Sequence, residues 1–407
     1  MDQGRVHRRW LIHTDFSKKY RADRFLLTCY NNKSNAYLLL QSTMQQELLF
    51  SPHTTEATQS GLKSLRQWMP KRVVFTPEAM DEPYGQEIFQ RVTALGLSPE
   101  VLTSNRLTGI KVATERETYK LAKNTLAIVK APPSAFKLQP IPPSADWQFH
   151  LAQGCPAHCQ YCYLAGSLAG PPVIRVYANL PAILENLPNY EQPGAVTSFE
   201  ASCYTDPLGI EHLTGGISHA IKHFAGRNAH LRFVSKFDAV DPLLPLEHNG
   251  HTRCRISLNA EVVSRRLEGG TAAIPARIQA LRKLALPRER GGGNYPIGVV
   301  LAPIMPIPDW KDHYMNLFEQ LGQQLDFPTN LTFELISHRF TPGSKEVLMG
   351  WYPNTALDMD ETSRSVKRNK FGGLKYVYTK EVMKEMRVFF EREIANRFPN
   401  AAILYWT

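Results

Sequence analysis

No apolar run in this sequence of 407 residues approaches the roughly 18–20 residues that a helix needs to span a bilayer. The first residues, MDQGRVHRRWLIHTDF, lack the apolar stretch of a secretory signal peptide. Only six cysteines are present, too few for a secreted scaffold built on disulfides. These absences exclude a protein with transmembrane helices and predict a cytoplasmic protein with no membrane partner.

Acidic residues are outnumbered, because 37 Asp and Glu stand against 47 Lys and Arg and leave a net charge of +10 at pH 7. A positive surplus of this size favours a polyanionic partner, above all a nucleic acid. A basic soluble protein without such a partner would have the same composition, so the charge alone does not decide between the two.

The chain divides into three regions of different sequence character. Residues 1–70 contain short apolar runs but no chemical motif, and we interpret them as an N-terminal extension of unknown role. Residues 71–145 predict an α/β region, with a strand at 72–75 and an amphipathic helix near 83–95. After a proline-rich connector, residues 146–407 form the predicted main domain.

The main domain alternates apolar strand-like runs with helix-like segments, which indicates a parallel sheet covered on both faces. The predicted strands lie at 147–152, 195–200, 231–235, 253–258, 297–301 and 331–336. The predicted helices lie at 180–187, 215–224, 273–286 and 310–325. Six repeats predict an α/β fold with a partial (β/α)6 TIM-like barrel, and a doubly wound open sheet is the alternative.

Reactive residue types follow several of these strands. The first strand leads into Cys155, the second into Cys203 and the third into Lys236, while the fourth carries Ser257 and Asn259 near its end. Because functional groups gather at the carboxyl ends of the strands in such barrels, these residues predict a site at one rim.

Three cysteines, Cys155, Cys159 and Cys162, fall within eight residues in CPAHCQYCYL. A zinc site commonly has four ligands and paired C-x2-C units, although His158 could complete one here. A redox dithiol would leave one cysteine idle, and three structural thiols in one short loop are improbable. The spacing favours a four-iron four-sulfur cluster on three thiolates, whose remaining iron is open to a small molecule.

The C-x3-C-x2-C loop after the first strand resembles the signature of the radical S-adenosylmethionine superfamily. Further segments resemble the spore photoproduct lyase family, and the likeness runs from about residue 71 to the C-terminus. These segments are FEASCYTDPLGIEHLT (199–214), LRFVSKFDAVDPLL (231–244), HNGHTRCRISLNAE (248–261), LTFELISHRFTPGSK (331–345) and YPNTALDMDETSR (352–364).

The resemblance implies a radical S-adenosylmethionine carbon–carbon lyase that repairs DNA. Such an enzyme uses a 5′-deoxyadenosyl radical to revert 5-thyminyl-5,6-dihydrothymine, the spore photoproduct, to two thymines. The implied partners are ultraviolet-damaged DNA and an electron donor, either a reductase or a flavodoxin or ferredoxin, and we expect a monomer. The alternatives are a radical enzyme for another thymine lesion, another nucleic acid or a peptide, and a zinc-bearing nucleic-acid-binding protein.

The resemblance also implies residue roles. Cys155, Cys159 and Cys162 match the cluster ligands, and Cys203 matches the cysteine that gives a hydrogen atom to the product thymine radical. Tyr161 and Tyr163 match two tyrosines that relay the radical back toward the cofactor. The residues that match S-adenosylmethionine contacts are Thr205, Lys236, Ser257 and Asn259.

Without the resemblance, Cys203 would be interpreted as a buried small hydrophobe. The alternative for the two tyrosines is aromatic packing around the cluster. The alternative for Lys236 is a surface lysine, but its position after an apolar strand at the reactive rim favours a cofactor contact. A basic loop with Lys367, Arg368, Lys370 and Phe371 predicts phosphate contacts, with a solvated loop as the alternative.

Two features depart from the family pattern. Lys370 and Phe371 stand where the family commonly has Arg and Tyr, and Tyr204 follows Cys203 where a smaller residue is usual. These departures bear on lesion preference and DNA affinity and leave the predicted cluster chemistry unchanged.

Overall fold

The computed structural model describes residues 67–168, 170–368 and 373–407. Residues 1–66 of the predicted extension lie outside the described residues, as do Lys370 and Phe371 of the predicted basic loop. The helices of the described residues are α1 (Pro77–Met80), α2 (Pro83–Ala94), α3 (Glu115–Lys123), α4 (Leu180–Asn186), α5 (Glu211–Thr214), α6 (Gly216–Ala225), α7 (Glu261–Leu267), α8 (Ile274–Ala285), α9 (Trp310–Gln324), α10 (Pro342–Trp351) and α11 (Lys380–Arg397).

The strands of the same residues belong to two larger sheets and two small antiparallel pairs. They are β1 (Arg72–Phe75), β2 (Pro99–Val101), β3 (Thr125–Val129), β4 (Gln139–Ile141), β5 (Ala145–Gln148), β6 (Ala152–Gln153), β7 (His158–Cys159), β8 (Ile174–Tyr177), β9 (Thr197–Glu200), β10 (Ala229–Ser235), β11 (Thr252–Leu258), β12 (Glu268–Gly269), β13 (Ile297–Ile304), β14 (Leu331–Ser337), β15 (Ser365–Arg368), β16 (Leu374–Val377) and β17 (Ala402–Trp406).

The main sheet has the strand order β17-β14-β13-β11-β10-β9-β5-β4. Every neighbouring pair from β5 to β14 is parallel. Strand β17 extends the sheet in parallel, and β4 closes the other edge in antiparallel. The six predicted strands therefore follow one another across the sheet in chain order. A doubly wound sheet would reverse its strand order at a switch point, so the order confirms the predicted partial barrel.

Burial explains why these segments fold in this way. Strands β11, β13 and β14 are buried along almost their whole length, as expected for parallel strands covered on both faces. Helix α8 buries Ile274, Ile278 and Leu281, which recur with the period of one helix face and pack on the sheet.

The second sheet has the order β2-β1-β3-β8-β6 and lies within the same compact unit as the main sheet. The predicted strand at 72–75 and the predicted helix near 83–95 are present as β1 and α2. The sheet takes β6 and β8 from residues beyond the proline-rich connector.

The single strand predicted at 147–152 is wrong in one respect, because the chain changes sheets within it. Strand β5 ends at Gln148, and the Phe149 amide makes one further bond to the Glu200 carbonyl. Leu151 then accepts a hydrogen bond from the Tyr177 amide, and β6 pairs with β8. Apolar residues continue across the break, since Phe149, Leu151 and Ala152 are all buried, so hydrophobicity does not mark where the chain changes sheets.

Candidate active site

The cluster loop, residues 154–162, follows β6, and its short strand β7 pairs with β12, directly after α7. Gly154 begins it with φ of 84°, and a Cβ at this position would lie 2.3 Å from the Val173 carbonyl oxygen. Only glycine fits there, because both the backbone angle and the close approach exclude a side chain. Farther along, the Gln160 amide donates to the Leu267 carbonyl at 2.8 Å. The loop is therefore held at both ends by backbone contacts.

The three predicted ligands lie together in this loop. Cys159 is buried, and Cys155 and Cys162 are half-buried. Burial raises the pKa of all three thiols, that of Cys155 to about 12, and the neighbouring thiols add to the rise at Cys155 and Cys159. Three thiols that are hard to ionise alone are stabilised as thiolates when they bind cationic iron.

The donor set fits a four-iron four-sulfur cluster. Thiolate is the ligand that such clusters use, and each cysteine binds its own iron. Among the residues that the structure describes, no three His, Cys, Asp or Glu side chains are grouped around one metal-ion position. The three sulfurs need not meet at one point to hold a cluster.

Lys123, at the C-terminal end of α3, reaches the cluster loop from outside the barrel. It is only 5% exposed, and its ammonium group donates to the carbonyl oxygens of Cys155 and Ala157. The sequence pattern did not single out this lysine, because its helix lies about 30 residues before the loop.

The zinc alternative would make His158 a metal ligand, but in the structure this side chain contacts Tyr119 of α3. Its Nδ1 lies 2.9 Å from the Tyr119 hydroxyl, and the two rings meet edge-on at 5.9 Å. Burial lowers the pKa of this histidine to about 4. His158 therefore binds the loop to α3.

A buried ion-pair group lies at the carboxyl ends of β10 and β11. Lys236 Nζ donates to Ser257 Oγ at 2.8 Å, to Glu268 Oε1 at 3.0 Å and to the Ala302 carbonyl at 3.1 Å. Glu268 also accepts hydrogen bonds from the Tyr161 hydroxyl and from Arg277 Nη2. Burial alone would raise the pKa of Glu268, but Lys236 and Arg277 outweigh burial and hold it at about 2.

Thr205 and Asn259, the other two predicted cofactor contacts, differ in whether their side chains already have hydrogen-bond partners. The buried Thr205 hydroxyl has no hydrogen-bond partner among the described residues, and such a group needs one. Asn259 is instead engaged: its Nδ2 donates to the Pro303 carbonyl at 2.8 Å, and its Oδ1 accepts from the Tyr314 hydroxyl at 2.7 Å. Thr205 is thus open to a ligand, whereas Asn259 mainly shapes the turn after β11.

Cys203 follows β9 and is half-buried. Burial raises its pKa well above the usual range, and the nearby Glu200 carboxylate raises it further. The thiol is therefore protonated at neutral pH. The two predicted relay tyrosines differ in setting, because the Tyr161 hydroxyl is bonded to Glu268 whereas Tyr163 is 59% exposed.

The residue that follows Cys203 in the chain, Tyr204, lines a cavity of about 460 Å³. His150 also lines it, and the two rings meet edge-on with centroids 4.7 Å apart. His150 Nδ1 is buried without a partner among the described residues, and burial lowers its pKa to about 4. Gln148 and Gln153 add amide groups to the same wall.

A network of charges inside the barrel supports the segment that carries Cys203. Arg255 forms ion pairs with Glu200 and Glu334, and all three side chains are buried. Glu200 also accepts a hydrogen bond from the Ser202 hydroxyl, which in turn accepts from the Val234 amide at 2.9 Å. Sequence reasoning missed this network, because its members come from three separate strands that each read as apolar.

The predicted basic loop is a β-hairpin formed by β15 and β16, with Lys367 opposite Lys375 and Arg368 opposite Leu374. Lys367 and Arg368 are exposed, so their charges face solvent. Lys370 and Phe371, which lie between these two strands in the sequence, are outside the described residues. No helix in the described part of the chain is both long and apolar enough to cross a membrane.

Comparison with known proteins identifies relatives of this arrangement. A family model described as spore photoproduct lyase matches residues 68–407. The chain is 40% identical over 349 residues to a spore photoproduct lyase of Geobacillus sp. (strain Y412MC61), with 84% of this chain and 100% of the relative covered. It is 38% identical over 346 residues to that of Bacillus subtilis (strain 168), with 84% and 99% covered.

Solved structures give the same result. A mutant spore photoproduct lyase with bound AdoMet (S-adenosylmethionine) and dinucleoside spore photoproduct aligns with a TM-score of 0.78 at 39% identity. A second structure, a spore photoproduct lyase complexed with dinucleoside spore photoproduct, aligns equally well. Each alignment covers 84% of this chain and 100% of the solved one.

Proposed function

The chain belongs to the spore photoproduct lyase family, and we propose that it repairs ultraviolet-damaged DNA by reverting spore photoproduct to two thymines. One observation carries the proposal. Cys203 follows β9, which pairs with β5, and the three-cysteine loop follows β6, the next strand in the chain after β5. This neighbourhood supports a cluster site and a hydrogen-atom donor at one rim, where a substrate would meet both.

Cys155, Cys159 and Cys162 would hold a four-iron four-sulfur cluster, and Thr205, Lys236 and Ser257 would contact S-adenosylmethionine. When bound, the two cofactors supply a 5′-deoxyadenosyl radical, which removes a hydrogen atom from C6 of the dihydrothymine half. The free Thr205 hydroxyl supports this assignment, because a hydroxyl suits a carboxylate or a ribose. To contact the cofactor, the Lys236 ammonium would exchange one of its three hydrogen bonds for a bond to it. Asn259 would act by shaping the turn beside them.

Cys203 would complete the repair once the bridge between the thymines has broken. Its S–H bond breaks, the hydrogen atom passes to the methylene carbon of the thymine radical, and a sulfur-centred radical remains. A hydrogen-atom donor must be a thiol rather than a thiolate, and the raised pKa of Cys203 supports this role.

Tyr163 and Tyr161 would then return the radical toward the cofactor. A hydrogen atom from the Tyr163 phenol restores the Cys203 thiol, and one from Tyr161 restores Tyr163. The bond from Tyr161 to Glu268 supports this order, because Glu268 also holds Lys236 at the proposed cofactor site.

The decisive assay uses anaerobically reconstituted protein, dithionite, S-adenosylmethionine and a defined spore photoproduct dinucleotide. We expect 5′-deoxyadenosine and repaired thymine from the wild type. The variant Cys203→Ala should still cleave S-adenosylmethionine but should give trapped or wrongly quenched products, because the hydrogen donor is gone. Cys254→Ala is the matched control, since that cysteine is buried within β11. Clean repair by Cys203→Ala would contradict the assigned role.

One observation favours a second candidate lesion. Tyr204, the residue after Cys203 in the chain, places a large ring against His150 in the cavity that both line, where the family resemblance implies a smaller residue. A narrower cavity would change which thymine dimer fits. The same assay with other ultraviolet thymine products separates the two, because repair of one of those in preference to spore photoproduct would overturn the first assignment.

DNA would reach this rim through the positive charge of the chain and the β15–β16 hairpin, where Lys367 and Arg368 would contact phosphates. We propose that Lys370 and Phe371, between the two strands in the sequence, contact the DNA. We also propose a monomer that receives electrons from a reductase, a flavodoxin or a ferredoxin. The free thiols that cluster assembly needs favour the cytoplasm.

A further inference from the structure

We propose that Lys123 is a positioning residue of the cluster loop and that its buried positive charge raises the reduction potential of the iron–sulfur cluster. This inference rests on the proposed function only in that the loop holds a cluster. Lys123 belongs to α3, which is not part of the half-barrel, and it is not among the site residues predicted from the sequence.

The contacts of Lys123 fit it to the loop. Helix α3 begins at a capped turn, where the Thr114 hydroxyl accepts from the Glu117 amide, and it ends at Lys123. The ammonium group donates to the carbonyl oxygens of Cys155 and Ala157. These two bonds hold the backbone on both sides of Pro156, between the first proposed ligand and His158.

The charge of Lys123 is not balanced by a carboxylate. Both of its acceptors are neutral carbonyls, and within the described residues it takes part in no ion pair. Lys236, the other ammonium near the loop, is paired with Glu268 at 3.0 Å. Asp206 binds the Ser235 hydroxyl and the Lys236 amide instead of Lys123. The positive charge of Lys123 therefore lies against the loop with no carboxylate bonded to it, although the Asp206 carboxylate also acts on Cys155.

Burial makes this charge effective. An ammonium that is 5% exposed is screened little by solvent, so its field acts over several ångströms. Adding an electron to the cluster makes it more negative, and a fixed positive charge stabilises that reduced state more than the oxidised one. Charges and hydrogen bonds around an iron–sulfur cluster are known to shift its reduction potential. Lys123 would thus make the cluster easier to reduce.

The test replaces Lys123 in the full chain and measures the cluster itself. Lys123→Met keeps a side chain of similar length and removes the charge, and Lys123→Arg keeps the charge. Lys120→Met is the matched control, because Lys120 is an exposed lysine on the same helix. After anaerobic reconstitution, iron content is determined, and the reduction potential is measured by a redox titration followed by electron paramagnetic resonance.

We expect a more negative potential for Lys123→Met than for the wild type, with Lys123→Arg and Lys120→Met close to the wild type. An unchanged potential in fully loaded Lys123→Met would overturn the proposal. If Lys123→Met takes up no iron, Lys123→Gln, which keeps an N–H donor without the charge, is measured in its place. Failure of both neutral variants to load, with loading retained by Lys123→Arg, would support the proposal. If Lys123→Met, Lys123→Gln and Lys123→Arg all fail to take up iron, Lys123 has only a packing role and the proposal is overturned.

The outcome is separable from the proposed function. Iron uptake and thymine repair by the wild type report on the function, whereas the difference in potential between variants reports on Lys123. A protein that loads iron but repairs no spore photoproduct would still give a valid comparison.

Discussion

A single buried carboxylate, that of Glu268, joins three residues of the site. It accepts hydrogen bonds from Tyr161, Lys236 and Arg277. One carboxylate thus binds two cations and one phenol. Glu268 is close to Arg277 in the sequence but far from Lys236 and Tyr161. Its low pKa follows from the two cations, so it is charged whenever the protein is folded near neutral pH.

We predict that Glu268→Gln destabilises the fold by about 3–5 kcal/mol, because it leaves the fully buried Arg277 without its carboxylate. Binding of S-adenosylmethionine should also weaken, since Lys236 loses the partner that orients it. Urea unfolding and calorimetric titration measure the two effects. Glu261→Gln, which breaks an exposed pair with Arg265, is the control and should cost about 1 kcal/mol or less. Equal unfolding midpoints for Glu268→Gln and the wild type would show that Glu268 does not carry this role.

At the scale of elements, the β15–β16 hairpin presents exposed charge at Lys367 and Arg368, while Tyr376 joins it to the core through Phe340. Lys367 and Lys375 lie opposite each other across the two strands, and such a like-charged pair is unfavourable unless an anion lies between or above them. DNA phosphate is the anion that the proposed function supplies.

We predict that Lys367→Ala combined with Arg368→Ala weakens binding to damaged and undamaged duplexes alike. The slope of the logarithm of the binding constant against the logarithm of the salt concentration should fall in magnitude by about one for each phosphate that the variant no longer neutralises. Fluorescence anisotropy at several salt concentrations measures both. Repair of an isolated dinucleotide should be unaffected, because it lacks the flanking phosphates.

The exposed Lys222 on α6 offers the control, since Lys222→Ala removes a positive charge away from the hairpin. A salt slope that is the same in the hairpin variant, the control and the wild type would contradict DNA binding by the hairpin.

At the scale of the whole molecule, the junction of α5 and α6 gives folding stability a pH dependence of its own. Glu211 is buried and accepts hydrogen bonds from the Ile217 and Ser218 amides. Burial nevertheless raises the pKa of this carboxyl from 4.5 to about 7, although the Ser218 bonds and the charge of Arg91 oppose the rise. The buried Tyr84 phenol is the other titratable group beside it.

We predict that the free energy of unfolding falls as the pH rises from about 4.5 to about 7. The native carboxyl keeps its proton across this window and the unfolded one loses it, so the native state binds more protons. The shift corresponds to about 3 kcal/mol at about 1.4 kcal/mol per unit. Glu211→Gln should remove this part of the pH dependence, as measured by urea unfolding across the window. A wild type and variant with parallel pH profiles would refute the prediction.

The barrel was predictable because each strand is apolar along its length and each helix has one apolar face. Five of the six predicted barrel strands are present within a few residues, for example 331–336 as β14. The break within the predicted strand 147–152 was not predictable, because two different sheets bury its two ends. Hydrophobicity reports that a residue is buried and not which partner strand buries it.

The resemblance to the superfamily followed from local spacing, and the resemblance to the family needed further segments such as 199–214. The C-x3-C-x2-C loop is contiguous, so its three thiols are close together in any fold, and the spacing alone is enough to predict a cluster. The roles of Cys203, Tyr161 and Tyr163 followed from the resemblance and stay predictions that the proposed assays test.

By itself, the sequence determined the half-barrel and the three-cysteine loop, because periodicity and spacing are properties of neighbouring residues. Only the tertiary structure decided which distant charges surround that loop. Lys123 comes from α3 and Glu268 follows α7. In the same way, tertiary structure brought Arg255 to carboxylates on two other strands, beside the segment that carries Cys203. Such partners are selected by folding, since a buried charge must find a compensating group wherever the chain brings one within reach.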